Sequence, residues 1–405
     1  MKKKVKSLFM IVTLILLASA CGTQTVPAEE PENIVQPADQ ISDESDDRDQ
    51  DTEEENAENV RDERKSGARI ALVTDVSSVM DSGFNQAALQ GIQTYADGAG
   101  VFYSTYSTDI DTAEDYKNAV LAAIQDNAEL IVCVGTHFEQ VVGELQNDYS
   151  DIYFLLLDGV PTDTSGEPVD IAPNVHCITY REEEAGYLVG YMSVREGYRK
   201  FGFIGGEPLP SVKGYGYGFL QGIDEAAALI EDSDEIQVEY WYADTFSPNE
   251  QVEEVSTEWY QSGTEIIFAC GGALYESVLS AAEECNGVLI GVDADQSGIS
   301  GRFLTSAMKG IDSSVIVALD DFFASGKKWP EKLAGNVVSY GAKEKCVSLP
   351  VKGNAWRFQN ATINDYLQTL ARLRSGEIQI SVDADNPPRI AITVNYHDQQ
   401  EESDS

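Results

Sequence analysis

Three aspartates of this 405-residue chain stand where short apolar runs give out: Asp75 after Ala71-Leu72-Val73-Thr74, Asp158 after Phe154-Leu155-Leu156-Leu157, and Asp293 after Gly291-Val292. A carboxylate so placed can accept hydrogen bonds from a ligand, take part in acid/base work or hold a metal ion. The pair Asp293-x-Asp295 has the spacing for the last two, but no histidine accompanies it, and the chain has only His137, His176 and His397. Five cysteines (Cys133, Cys177, Cys270, Cys285, Cys346) are scattered singly with no C-x-x-C spacing, so zinc and dithiol redox motifs are absent. Most of them sit in apolar runs and are expected to behave as small buried hydrophobes. The glycine-rich stretches Phe203-Ile204-Gly205-Gly206 and Gly214-Tyr215-Gly216-Tyr217-Gly218 match neither the dinucleotide nor the P-loop fingerprint. There is no G-x-S-x-G elbow, H-E-x-x-H or calcium-loop pattern. The expectation is a binding protein, not an enzyme, with no cofactor and no metal.

Charge narrows the partners. The chain carries 27 Lys and Arg against 69 Asp and Glu, a net −42. Residues 22–66 hold 16 acids and 4 bases, and the region from 67 onward still carries about −34. Such a field repels phosphate backbones, so nucleic acid is not an expected partner. Lys2, Lys3, Lys4 and Lys6 precede an apolar run over 8–17 and the small residues Ala18-Ser19-Ala20. This is a secretory signal pattern, too short to span a bilayer. Because it ends on Cys21 and Gly22 it resembles a bacterial lipobox, with Cys21 as the lipidation site. Residues 22–66 lack the apolar content to offset their ordering entropy and read as a disordered acidic tether. The implied location is the cell membrane, lipid-anchored and facing outside the cytoplasm.

The aspartates need a frame, and the hydrophobic pattern supplies one. Apolar β-branched runs over 69–73, 101–104, 130–134, 153–157, 176–180, 200–204, 236–241, 266–269, 288–292 and 303–307 alternate with amphipathic stretches over 85–98, 112–127, 136–149, 182–196, 214–230, 248–263, 273–284 and 313–325. Continuous apolar strands between helices predict parallel sheets covered on both faces. Two such series, the second starting near Lys200, predict an α/β protein of two doubly wound domains with a ligand cleft between them. A helix over 363–375 and a strand over 376–378 close the pattern.

The strings Thr74-Asp75-Val76 and Asp81-Ser82-Gly83-Phe84-Asn85-Gln86, with Leu157-Asp158-Gly159, Glu182-Glu183-Glu184-Ala185-Gly186, Phe203-Ile204-Gly205-Gly206, Phe219-x-x-Gly222, Gly291-Val292-Asp293-Ala294-Asp295-Gln296 and Ala307-Met308-Lys309, occur in a fixed order over about 70 to 310. In that order they resemble the basic membrane protein (BMP) family of nucleoside-binding lipoproteins. The resemblance implies a type I periplasmic-binding-protein fold, with three crossovers joining the domains. It assigns 67–180 plus about 303–330 to the first domain, about 181–302 plus 335–385 to the second, and 386–405 to an acidic tail.

It also implies roles. Phe84 and Phe246 are the rings expected to sandwich a base, Asp75, Asn85 and Asp158 the polar contacts of the first domain, and Asp293 and Lys309 those that hold the ribose. Stacking a base on an aromatic ring is worth about 1–3 kcal/mol, and a charged hydrogen bond to a sugar hydroxyl about 1.5–3 kcal/mol. The implied partners are a nucleoside, with purine preferred, and the permease of an ABC importer. A sensory module and a sugar or autoinducer binder of the same fold are the rival readings. One departure stands out: where the family has an acidic residue in F-E-x-G-F, this chain has Gly216.

Overall fold

The computed structural model describes residues 69–397 except 77, 78, 232, 384 and 385. The signal pattern, Cys21, the tether and the last part of the expected tail lie outside the described residues. Six strands, β1 (Arg69–Val73), β2 (Phe102–Tyr106), β3 (Leu130–Val134), β4 (Tyr153–Leu157), β5 (Val175–Tyr180) and β11 (Asn336–Tyr340), form a first sheet in the order β11-β5-β4-β3-β1-β2, parallel throughout. A second sheet runs β12-β10-β9-β8-β6-β7-β13. It is built from β6 (Lys200–Gly205), β7 (Gln237–Tyr242), β8 (Ile266–Cys270), β9 (Val288–Asp293), β10 (Phe303–Lys309), β12 (Val347–Ser348) and β13 (Thr393–His397). Only the short β12 is antiparallel to its neighbour.

Central strands such as β3, Leu-Ile-Val-Cys-Val, and β8, Ile-Ile-Phe-Ala-Cys, are buried at every position, as a sheet covered on both faces requires. Helices α1 (Phe84–Ala99), α2 (Ala113–Gln125), α3 (Glu139–Asp148) and α8 (Ile311–Ala324) cover the first sheet and close two cores, one per face. The second sheet is covered by α4 (Glu182–Glu196), α5 (Pro210–Ala227), α6 (Glu250–Gln261), α7 (Tyr275–Cys285) and α9 (Ile363–Ser375) in the same two-sided way. This is a two-lobed α/β protein of the type I solute-binding fold.

Helices α4 and α5 approach so closely that a Cβ on Gly186 would lie 2.0 Å from the Tyr215 carbonyl oxygen, and one on Gly218 2.0 Å from that of Glu183. The glycines at 186, 190, 218 and 222 therefore permit backbone contact between the two helices. That contact sets where Glu182 and Tyr215, at the helices' cleft ends, project.

The chain passes between lobes three times: after Tyr180, after Lys309 and after Tyr340. Here the expected boundaries need correcting. Strand β10 pairs with β9 in the second sheet, whereas α8 packs on α1 in the first lobe, so 303–309 does not travel with the helix that follows it. The crossover falls at Gly310, between the strand and the helix, and a strand–helix unit cannot be assumed to stay in one lobe. Conversely β11, expected in the second domain, pairs with β5 in the first sheet. The strand expected at 376–378 does not form, because Gly376 (φ 74°) turns the chain sharply out of α9. Part of the expected tail, 393–397, is instead strand β13, in register with β7. Its alternating Val394 and Tyr396 were outweighed by the acidic residues around them.

Candidate functional site

Nearly every side chain at the cleft follows the carboxyl end of a parallel strand. Beyond β1, the Asp81 carboxylate accepts backbone N–H bonds from Gly83 (2.8 Å), Asn85 (3.1 Å) and Gln86 (3.1 Å). It starts α1 and so fixes Phe84 and Asn85 in the first turn. Burial pushes the Asp81 carboxyl up to about 6, against the pull of those three N–H groups. Asn85 donates from Nδ2 to Asp75 Oδ1 at 2.9 Å. Asp158, after β4, and Asp293, ending β9, both have left-handed backbones, at φ 57° and 63°. Such conformations are strained for residues other than glycine and concentrate at ligand sites.

Lys309, at the end of β10, forms the floor. Its ammonium bonds to Asp158 Oδ2 and lies 3.3 Å from Glu182 Oε1 and 3.6 Å from Asp293 Oδ1, with all four side chains under a tenth exposed. Burial works against the ammonium, but the attraction of Asp158, Asp293 and Glu182 outweighs it and lifts the Lys309 pKa well above its ordinary value. Burial raises the Asp293 carboxyl despite Lys309, and burial with the charge of Asp158 raises Glu182 strongly. The ammonium also sits 4.4 Å from the centre of the Phe84 ring and 5.7 Å from that of Tyr215. Tyr215 donates to Asp293 Oδ1 at 3.0 Å.

These groups surround one cavity between the lobes, with ≈ 620 Å³ free of protein atoms, part of it open to solvent. That is within the usual range for a small-molecule site. Asp75, Phe84, Asn85, Asp158, Phe246, Asp293 and Lys309, scattered over 235 positions of sequence, all line it. Phe246 rests on a bed of glycines, since a Cβ on Gly206 or Gly271 would fall within 2.7 Å of its ring.

The cavity also holds residues to which the sequence reading gave no role: Asp81, His137, Tyr215 and Cys270 line it, and Glu182 braces its floor. His137, stacked on Tyr116 at 5.3 Å and edge-on to Phe246 at 6.5 Å, lies in the helical turn Thr136–Phe138 that follows β3, so the loop beyond a strand's carboxyl end was the signal that could have found it. Cys270 is not merely a core thiol but part of the wall. Gly216, by contrast, faces away: a Cβ there would meet the Tyr240 hydroxyl at 2.0 Å in the second lobe's core. The loss of a carboxylate at that position therefore removes nothing from the cavity.

The arrangement is suited to holding a ligand. Burial pushes the Cys270 thiol far above its ordinary range, which leaves it a poor nucleophile. Among the described residues no cluster has the make-up of a metal site. Asp158 Oδ1 is buried with no hydrogen-bond partner among the described residues, which leaves it an acceptor suited to a donor from a ligand.

Comparisons with known proteins place the chain in a family and a fold. Residues 68–383 match a family described as ABC transporter substrate-binding protein, PnrA-like. A "CD4+ T-cell-stimulating antigen" from Listeria innocua is 24% identical over 348 residues, spanning 79% of this chain and 91% of its own. An "ABC transporter nucleoside-binding protein BmpA" from Lactococcus lactis is 26% identical over 308 residues, spanning 70% and 82%. Among solved structures, an ABC transporter solute-binding protein from Aeropyrum pernix superposes with a TM-score of 0.61 at 19% identity, covering 78% of this chain and 88% of that one. The last likeness is one of fold.

Proposed function

The chain belongs to the Bmp family of PnrA-like ABC transporter substrate-binding proteins, and from that premise we propose that it captures a nucleoside in the cleft and hands it to a membrane permease. The observation that carries the reading is the floor: one ammonium among three carboxylates, with a buried Asp158 oxygen unpartnered, between rings contributed by opposite lobes. Vicinal ribose hydroxyls suit Asp158 and Asp293, which can accept from both. A base suits Phe84 and Phe246, and a purine, with two fused rings, offers them the larger face. Asp75, Asn85 and His137 lie where a base edge would be read. Cys21 serves as the lipid anchor and the acidic segment after it as the spacer from the membrane.

The floor also predicts what is refused. The one floor cation among the described residues, Lys309, is already shared by three carboxylates, so a phosphate would meet negative charge with no counter-ion. Calorimetry with guanosine and guanosine 5′-monophosphate tests this: the nucleoside binds, and the monophosphate binds at least about tenfold more weakly, roughly 1.4 kcal/mol. Equal affinities, or no heat from any nucleoside, would sink the proposal.

A further inference from the structure

We infer that Gln296 is a latch between the lobes, joining them through Ser82 while Lys309 joins them at the floor; the idea of a latch rests on the binding role proposed above. Gln296 follows β9 and is completely buried. Within its own lobe it is fixed at both ends: its backbone N–H donates to Ser306 Oγ (3.1 Å), and its side-chain Oε1 accepts from the Val292 N–H (3.0 Å), one residue before Asp293. The remaining donor of the amide, Nε2, reaches across to the Ser82 carbonyl of the first lobe at 3.3 Å. Strand β9 itself makes room for the amide. A Cβ on Gly291 would fall 2.2 Å from Gln296 Oε1, so the glycine leaves room for this amide.

Ser82 is an equally prepared partner. It has a left-handed backbone (φ 56°), its N–H donates to Gln86 Oε1 at 2.9 Å, and Asp81 beside it gathers three N–H groups. Its side chain meets Tyr275 of α7, a second link to the opposite lobe. The loop is thus held rigid in the one pose that offers its carbonyl to Gln296. Because Phe84 and Asn85 come next, the latch ties lobe closure to the placement of the base-side residues, and through Val292 to Asp293. Gln296 touches no cavity space itself, so it acts as a positioning residue.

Two substitutions separate latch from scaffold. Gln296→Glu keeps an acceptor for Val292 but sets an oxygen against the Ser82 carbonyl; Gln296→Met removes both bonds without adding charge. Lobe separation is read by pulsed electron spin resonance between labels at Glu114→Cys and Glu254→Cys in a Cys285→Ser background, without ligand and with guanosine. Stopped-flow chase gives the guanosine rates. A latch predicts that both variants shift the lobes open in whichever condition the parent is closed. Guanosine dissociation then rises roughly tenfold, the equivalent of one buried hydrogen bond, with association within about twofold. The fold control is the far-ultraviolet circular dichroism spectrum of each unliganded variant, which matches that of the parent. Parental lobe distances in both variants, or a parent open in both conditions, would overturn the inference. If the lobes respond as described while guanosine does not bind, the latch stands and the nucleoside reading fails.

Discussion

At the floor of the cavity the side chains of Asp158, Glu182 and Asp293 are buried and gathered around the Lys309 ammonium, whereas Phe84 and Phe246 on the walls are only partly buried. The difference divides the work. Floor charges have lost their water and survive on mutual attraction, so removing one strands the rest. Truncating a wall ring strands no hydrogen-bonding group, although the Phe84 ring also faces the Lys309 ammonium at 4.4 Å. Stability and affinity should therefore fall together at the floor and separate at the walls.

The harshest way to break this comparison is Lys309→Met. Three buried carboxylates would lose the cation they share, and the unfolding free energy should drop by about 3–5 kcal/mol, with nucleoside binding abolished. Urea unfolding followed by far-ultraviolet circular dichroism measures the first effect, calorimetry the second. A variant as stable as the parent would mean that the floor is hydrated and that burial does not govern it.

A milder pair sharpens it. Asp293→Ala should weaken guanosine by about 1.5–3 kcal/mol while leaving guanine nearly unaffected, because the lost acceptor serves the sugar. Phe84→Ala or Phe246→Ala should weaken guanosine and guanine alike by about 1–3 kcal/mol, with the melting temperature close to that of the parent. Titrations of both ligands against the three variants decide the matter. If Asp293→Ala weakens guanine as much as guanosine, the assignment of floor to sugar and walls to base is wrong.

How far the sequence could be read follows the same division. Ten strands were visible as apolar, aromatic or β-branched runs: central ones such as β3 and β8 because a strand buried on both faces must be apolar throughout, and the exposed edge strand β2 through its aromatic residues alone. Seven cavity residues were marked by strand ends and ordered motifs. Strands β11, β12 and β13 escaped notice. Two lie at sheet edges with exposed or half-exposed side chains, and the third is two residues long. The crossover at Gly310 was misplaced because local pattern says nothing about which lobe a helix packs on. Glu182 belongs to an ordered motif, yet nothing in a run of three glutamates tells which faces the cavity. The answer depends on how far α4 can approach α5, which four glycines decide in three dimensions.

Asp81 should give the smallest effect on binding, and it tests the border between the two regions. It touches the cavity yet spends its oxygens on the backbone that starts α1. Its carboxyl titrates near 6 in the folded protein against 3.8 for an ordinary aspartate. Between those values the unfolded chain releases a proton that the folded one keeps, so this group's contribution to stability falls as pH rises from about 4 to 6 and is level above that. The ceiling of the effect is about 3 kcal/mol for a shift of roughly two pH units. Asp81→Asn cannot titrate. It retains an oxygen for Gly83 and Gln86 but turns an amide toward the Asn85 N–H, a loss that is the same at every pH. The variant's stability relative to the parent should therefore start low near pH 4, climb through pH 6 and then run parallel. Chemical denaturation at half-unit steps from pH 4 to 7.5 would show that climb. Parallel curves across the whole range would mean that the Asp81 carboxyl is ionised throughout, held by its three N–H donors, and belongs with the scaffold of α1 and not with the buried charge of the floor.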